Sequence, residues 1–129
     1  MGEDNAAPRD VAERLTTRRQ GLFRKVVTGD TVSLDDRGTL VRWLRELHQE
    51  RDQTVIIHRS WGSVCVVGEG RAPTDIMMTE DDGRMWYAAR AGSKIPQKRP
   101  QLTPAEVEHV MLEALTSDTP PQWPEWREF

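Results

Sequence analysis

Apolar residues recur at roughly helical spacing in the first third of the chain. Among the charged residues of segment 10–27 the apolar positions are Val11, Leu15, Leu22, Phe23, Val26 and Val27. They predict a first helix over residues 10–27, interrupted at Gly21, where glycine costs about 1 kcal/mol relative to alanine. A second helix is predicted over residues 34–51 from the stripe Leu40, Val41, Leu44 and Leu47. Ser33 with Asp36 three residues later predicts its cap.

The spacing changes in the middle of the chain, where short β-branched runs replace the helical stripe. Residues 54–57 and 64–67 predict two paired strands. Residues 76–79 and 84–89 predict a second hairpin, because Asp82-Gly83 supplies the positive φ that a tight turn needs. The prolines of residues 91–101 predict an extended loop at which the sheet ends.

A third helix has the clearest start in the sequence. Thr103 is a cap, Pro104 suits the first helical position, and Glu106 can cap back. The prolines of residues 120–126 then predict an extended path. We expect a disordered lead-in over residues 1–9 and one α+β domain over residues 10–129 with a Pro/Trp-rich C-terminal tail. Its antiparallel sheet has about four or more strands, with two or three helices in a single layer on one face.

Composition narrows the classes of function. The 129 residues are 36% hydrophobic and 30% charged, which is enough for one folded core. With 18 basic and 21 acidic side chains the formal net charge is -3, so we expect no direct binding of nucleic acid. No secretion signal and no long apolar run is seen, which predicts a cytoplasmic protein without membrane contact.

Residues that could carry chemistry have simpler structural interpretations. His48, His58 and His109 lack the close His/Cys spacing of a zinc site. Cys65 lies between valines, where a thiol packs as a small hydrophobe with a raised pKa. The segment Gly68-Glu69-Gly70 lacks the rest of a phosphate-binding motif and is interpreted as a turn. We therefore expect no catalytic residues, no metal and no cofactor.

Acidic and aromatic residues are the candidates for protein contact. The acidic hairpin tip at residues 80–82 is either an ordinary solvated turn or a mimic of nucleic-acid charge. Large amphipathic rings often anchor interfaces, and the tail tryptophans could equally fold back onto the domain. The predicted partner-binding residues are Trp61, Glu69, Arg71, Glu80, Asp81, Asp82, Trp86, Trp123 and Trp126.

From about Thr54 onward, the order of features resembles the bacterial polymorphic-toxin immunity proteins associated with cytidine deaminase toxins. The stretches that carry the resemblance are Val64-Cys65-Val66-Val67-Gly68, Asp82-Gly83-Arg84-Met85-Trp86-Tyr87, the helix from Ala105 to Leu115, and Pro121-Gln122-Trp123-Pro124-Glu125-Trp126. Counted from Thr54, the resemblance covers about 75 of the 129 residues. The N-terminal segment 10–27 has no counterpart in the resemblance.

The resemblance implies a protein that binds a cognate toxin, a nucleic-acid deaminase, and covers its active site. We expect a monomer or weak homodimer when the protein is free. The alternative is a small scaffold, chaperone or regulatory subunit that uses the same exposed aromatic residues for a protein interface.

Overall fold

The computed structural model describes residues 13–20, 27–94 and 102–129, and seven antiparallel strands of this part form one open sheet. The strands are β1 (Arg14–Gln20), β2 (Val27–Val32), β3 (Gln53–Arg59), β4 (Gly62–Val67), β5 (Met77–Glu80), β6 (Met85–Ala89) and β7 (Glu125–Glu128). Their order in the sheet is β2-β1-β3-β4-β5-β6-β7. The helices of the described residues are α1 (Arg37–Glu46) and α2 (Pro104–Ala114). The predicted α+β class with an antiparallel sheet is confirmed.

Both helices pack on the same face of the sheet. Along β3 and β4 every second residue is buried, and these side chains join one core cluster with the apolar stripes of α1 and α2. The largest fully buried members include Leu15, Leu40, Ile57, Val64 and Met111. Each such side chain contributes about 1.5–3 kcal/mol when removed from water. The predicted single layer of helices is therefore confirmed, and the opposite face of the sheet, called here the open face, carries no helix of the described chain.

The predicted helix over residues 10–27 is wrong where the structure describes it. Arg14–Gln20 is a strand that pairs with β2 on one side and with β3 on the other. Local spacing favoured a helix, but backbone pairing with two neighbours outweighs that weak preference. Leu15 and Thr17 alternate into the buried face, as a period of two requires. Residues 1–12 and 21–26 lie outside the described part, so the lead-in over residues 1–9 stays a prediction.

The second predicted helix is present but shorter, and its cap is a different residue. The side chain of Asp36 accepts the backbone N–H of Thr39 at 3.1 Å, so Asp36 is the N-cap and Ser33 is not. Ser33 instead accepts the N–H of Asp35. Helix α1 buries Leu40, as its apolar spacing predicts, and ends at Glu46.

The third predicted helix begins as expected, and the sheet continues after it. Thr103 and Glu106 form the reciprocal cap, with Pro104 in the first turn. The tail then returns to the sheet, where Glu125–Glu128 pairs with β6 as an edge strand. The expectation that the sheet ends before residue 91 is wrong, because this last strand is far from its partner in sequence. The rest of the predicted 91–101 loop lies outside the described residues from 95 onward.

Neither α1 nor α2, which are the helices of the described part of the chain, is long and apolar enough to cross a membrane.

The turn between β3 and β4 depends on the backbone of Gly62. Its φ is 141°, and a Cβ at this position would overlap the backbone oxygen of Thr79 on β5. Gly62 therefore lets three strands approach closely at this end of the sheet.

We predict that Gly62→Ala lowers the free energy of unfolding by about 2 kcal/mol or more, because it adds both strain and overlap. Gly38→Ala is the matched control, since nothing lies within 4 Å of a Cβ placed on this helical residue. Gly38→Ala should raise the free energy of unfolding by up to about 1 kcal/mol. Urea unfolding measures both; equal effects of the two substitutions would contradict the role given to Gly62.

Candidate protein-binding site

The sheet register brings two of its turns together at one end. Gly62, which follows the β3–β4 turn, lies opposite Glu80, which opens the β5–β6 turn. Trp61 and the acidic tip at residues 80–82 are therefore neighbours, although they are distant in sequence. Tyr87 of β6 pairs with Arg127 of β7, and this register brings the last residues of the chain to the same end.

The acidic tip is held by internal hydrogen bonds. Glu80 accepts the Trp86 indole N–H at 2.9 Å and pairs with Arg84 at 3.2 Å. Arg84 in turn lies over the Trp86 ring, 5.4 Å from its centroid. Asp82 accepts the backbone N–H of Arg84 at 3.0 Å, which is the main reason that its pKa lies below the usual value. Asp81, which lies between Glu80 and Asp82 in the sequence, is exposed to solvent.

The buried side chain of Arg59 supports the same end of the sheet through hydrogen bonds. The Arg59 side chain is only 7% exposed. It donates to the carbonyl oxygen of Ala114 at 2.6 Å and to the Glu13 carboxylate at 3.2 Å. Asp118 lies 3.9 Å away. Glu13 also accepts the backbone N–H of Ser60, and this hydrogen bond, followed by the effect of Arg59, lowers its pKa.

Carboxylates outnumber guanidinium groups at this end of the sheet. Six carboxylates lie near these turns, and two of the described arginines, Arg59 and Arg84, pair with four of them. This end therefore presents negative charge to solvent. We call it the acidic end, and it comprises Glu13, Glu80, Asp81, Asp82, Asp118 and Glu128.

Most of the tryptophans that were predicted to contact a partner make hydrogen bonds or core contacts within the molecule. The Trp61 indole donates to the carbonyl of Ser117 at 3.1 Å. Trp126 donates to the carbonyl of Pro121 at 2.8 Å. Trp61, Trp86 and Trp126 all pack partly against the core. Trp123 is 39% exposed and meets His109 edge-on, so the tail folds back and Trp123 keeps the largest free surface of the five indoles.

Glu69 and Arg71 are not part of the acidic end. They follow β4, and the six residues Gly62–Val67 separate them from the acidic tip. The two side chains pair with each other at 3.3 Å, and both are well exposed. The nine predicted contact residues therefore divide into one group at the acidic end, a pair at the opposite end, and the tail tryptophans.

Sequence reasoning missed the open face of the sheet. Val67, Met85 and Phe129 are 43%, 42% and 62% exposed there, although all three are large apolar residues. A cleft of about 360 Å³ opens on this face above Cys65 and Met77. The signal was available in principle, because strands with apolar residues on both faces do not alternate between apolar and polar.

The histidines and the cysteine are dispersed. His58 bonds the hydroxyl of Thr16 at 3.1 Å on the open face, and burial lowers its pKa. Cys65 is half-buried on the same face, and burial raises its pKa, as its apolar neighbours suggest. Within the described ranges, no group of three His, Cys, Asp or Glu side chains is placed to hold a metal ion.

We predict that Glu13→Gln destabilises the protein at neutral pH and that its effect fades in acid. The folded-state pKa of Glu13 is below the ordinary value of 4.5, so the charge stabilises above that pH. This stabilisation disappears as the pH falls through the lowered folded-state pKa. Urea unfolding of the wild type and of Glu13→Gln, from neutral to strongly acidic pH, measures the difference in their free energies of unfolding. A difference that stays constant with pH would refute the ionic role of Glu13.

No protein-family model, no curated protein and no solved structure gives a significant match to the chain. The family resemblance seen in the sequence therefore stays a prediction.

Proposed function

We propose that this chain is an immunity protein that binds a cognate toxin, a nucleic-acid (cytidine) deaminase, and covers its active site. The observation that carries the proposal is the acidic end, where strand register and the buried Arg59 gather carboxylates from four separate parts of the chain. The resemblance of residues 54–126 to immunity proteins supports the same function.

The chemistry of the target explains why an acidic surface suits this function. An enzyme that takes up DNA or RNA needs a basic cleft for the phosphates. A fixed array of carboxylates is complementary to that cleft, speeds association and competes with the nucleic acid. Binding alone achieves inhibition, so the inhibitor requires no catalytic group.

Rigidity of the acidic tip supports high affinity. Glu80 is held by Trp86 and Arg84, and Asp82 by the backbone of Arg84. Such a turn loses little conformational freedom on binding. In this proposal Trp61 and Trp86 position the carboxylates, and the exposed contacts come from Asp81 and its acidic neighbours.

The alternative function is a scaffold or regulatory subunit with a self-interface. The open face favours it, because Val67, Met85 and Phe129 expose apolar surface of the kind that homodimers bury. A stable dimer of the purified protein, together with no toxin gene beside its own, would favour this alternative. A monomer or weak dimer that operates in the cytoplasm remains the expectation of the immunity proposal.

We predict that Asp81→Lys with Glu128→Lys weakens binding to the toxin domain encoded beside this chain by about tenfold, mainly through slower association. Both residues are exposed and lie at the acidic end, and the fold should tolerate their reversal. Glu80 is avoided because its reversal would break its bonds to Trp86 and Arg84. Surface plasmon resonance measures the rates, and co-expression measures protection of the cell.

Asp30→Lys with Asp52→Lys is the matched control, since both acids are exposed outside the acidic end and the change of net charge is identical. This control should bind within about twofold of the wild type if local charge complementarity governs the contact. An equal loss of affinity in both variants would show that net charge alone causes the effect. Unchanged binding by the acidic-end variant would remove this surface from the interface.

A further inference from the structure

The open face contains a formed cleft that the acidic end does not explain. Its volume is about 360 Å³, within the usual range of sites that enclose a small group. Cys65, Met77 and Tyr87 come from three adjacent strands, and their register places them side by side on the open face. Phe129 forms one wall of the cleft, and the centroid of its ring lies 5.4 Å from that of Tyr87, with an angle of 58° between the two ring planes.

The charged side chains among the described lining residues of this cleft are both acidic. They are Glu69 and Asp75, and Asp75 is exposed although it already has an interaction within the molecule. Arg71 pairs with Glu69 at 3.3 Å, but both partners are exposed, and such surface pairs are weak enough to exchange. Arg127, which is close to Tyr87, is held by Glu125 at 3.2 Å and by the carbonyl of Ser93.

An apolar, aromatic floor with carboxylates at its edge matches one kind of side chain. Arginine combines an aliphatic stem, which packs on apolar surface, with a planar cation that stacks on aromatic rings and bonds carboxylates. Lysine fits less well, because its ammonium group is more strongly hydrated. The same chemistry already occurs within this molecule, where Arg84 lies over Trp86 and pairs with Glu80.

We propose that this cleft receives an arginine side chain from the partner protein. The inference rests on the proposed function for the identity of that partner, whose nucleic-acid-binding surface supplies arginine. Phe129 and Met85 join the cleft to the acidic end, because the backbone of Phe129 bonds that of Met85. The cleft and the acidic end thus form two parts of one contact surface.

The direct test titrates the free protein with N-acetyl-arginine N-methylamide at constant ionic strength. The Met77 methyl signal is followed by NMR after labelling of methionine methyl groups, and Met111 in the core is the internal reference. The Met77 signal should shift and saturate while the Met111 signal stays in place. The citrulline analogue, which has the same shape without the charge, should bind about tenfold more weakly.

Two double variants locate the carboxylates that matter. Glu69→Gln with Asp75→Asn should weaken binding of the arginine probe by about tenfold. Asp30→Asn with Asp35→Asn, two exposed acids outside the cleft, should leave it within about twofold. No shift of Met77, equal binding of the citrulline analogue, or equal binding by the cleft variant would overturn the proposal.

The same variants separate this inference from the proposed function. Toxin capture without binding of the arginine probe at Met77 would overturn the cleft and leave the immunity function standing. Binding of the arginine probe without toxin capture would overturn the immunity function and leave the arginine-binding cleft standing. If both proposals hold, the cleft variant should lose about tenfold in toxin affinity, and its control variant should not.

Discussion

The buried guanidinium of Arg59 is the interaction on which this architecture most depends. It joins the end of β3 to the last carbonyls of α2 and to Glu13, just before β1. A cation at a helix C-terminus is stabilised by the exposed carbonyl dipoles, and a buried charge requires such partners. This contact sets the position of α2 against the β3–β4 turn. Trp61 in that turn adds a hydrogen bond to the carbonyl oxygen of Ser117, which follows α2.

Two surfaces follow from that arrangement. The helices cover one face of the sheet, so the remaining contacts are available at its end and on its open face. At the end, Arg59 pairs with Glu13 and Asp118. The register places Glu80 beside Gly62, which is the pairing partner of Arg59. On the open face, side chains that the helices do not cover leave a cleft with an apolar floor and an acidic edge. Both surfaces are suited to a basic protein partner, which unites them in one proposed function.

Prediction from the sequence succeeded where the signal is local. The Asp82-Gly83 turn, with φ of 92° at Gly83, and the Thr103 cap depend on residues within a few positions of each other. It failed for β1 and β7, whose pairing partners are distant in sequence and decide the backbone against local preference. The acidic tip was predicted, but its support by Trp86 and its association with Glu13 and Asp118 require the register. The open-face cleft required knowledge of which face the helices cover.

In the proposed function, the acidic end and the adjoining open face together form the contact with the toxin. The most direct test is hydrogen–deuterium exchange of the chain, alone and in complex with the proposed toxin partner. We expect slower exchange on binding in the β3–β4 turn, in residues 80–87 and in residues 69–76, with little change on the exposed side of α1. Protection confined to α1 and β2, with none at residues 80–87, would contradict it.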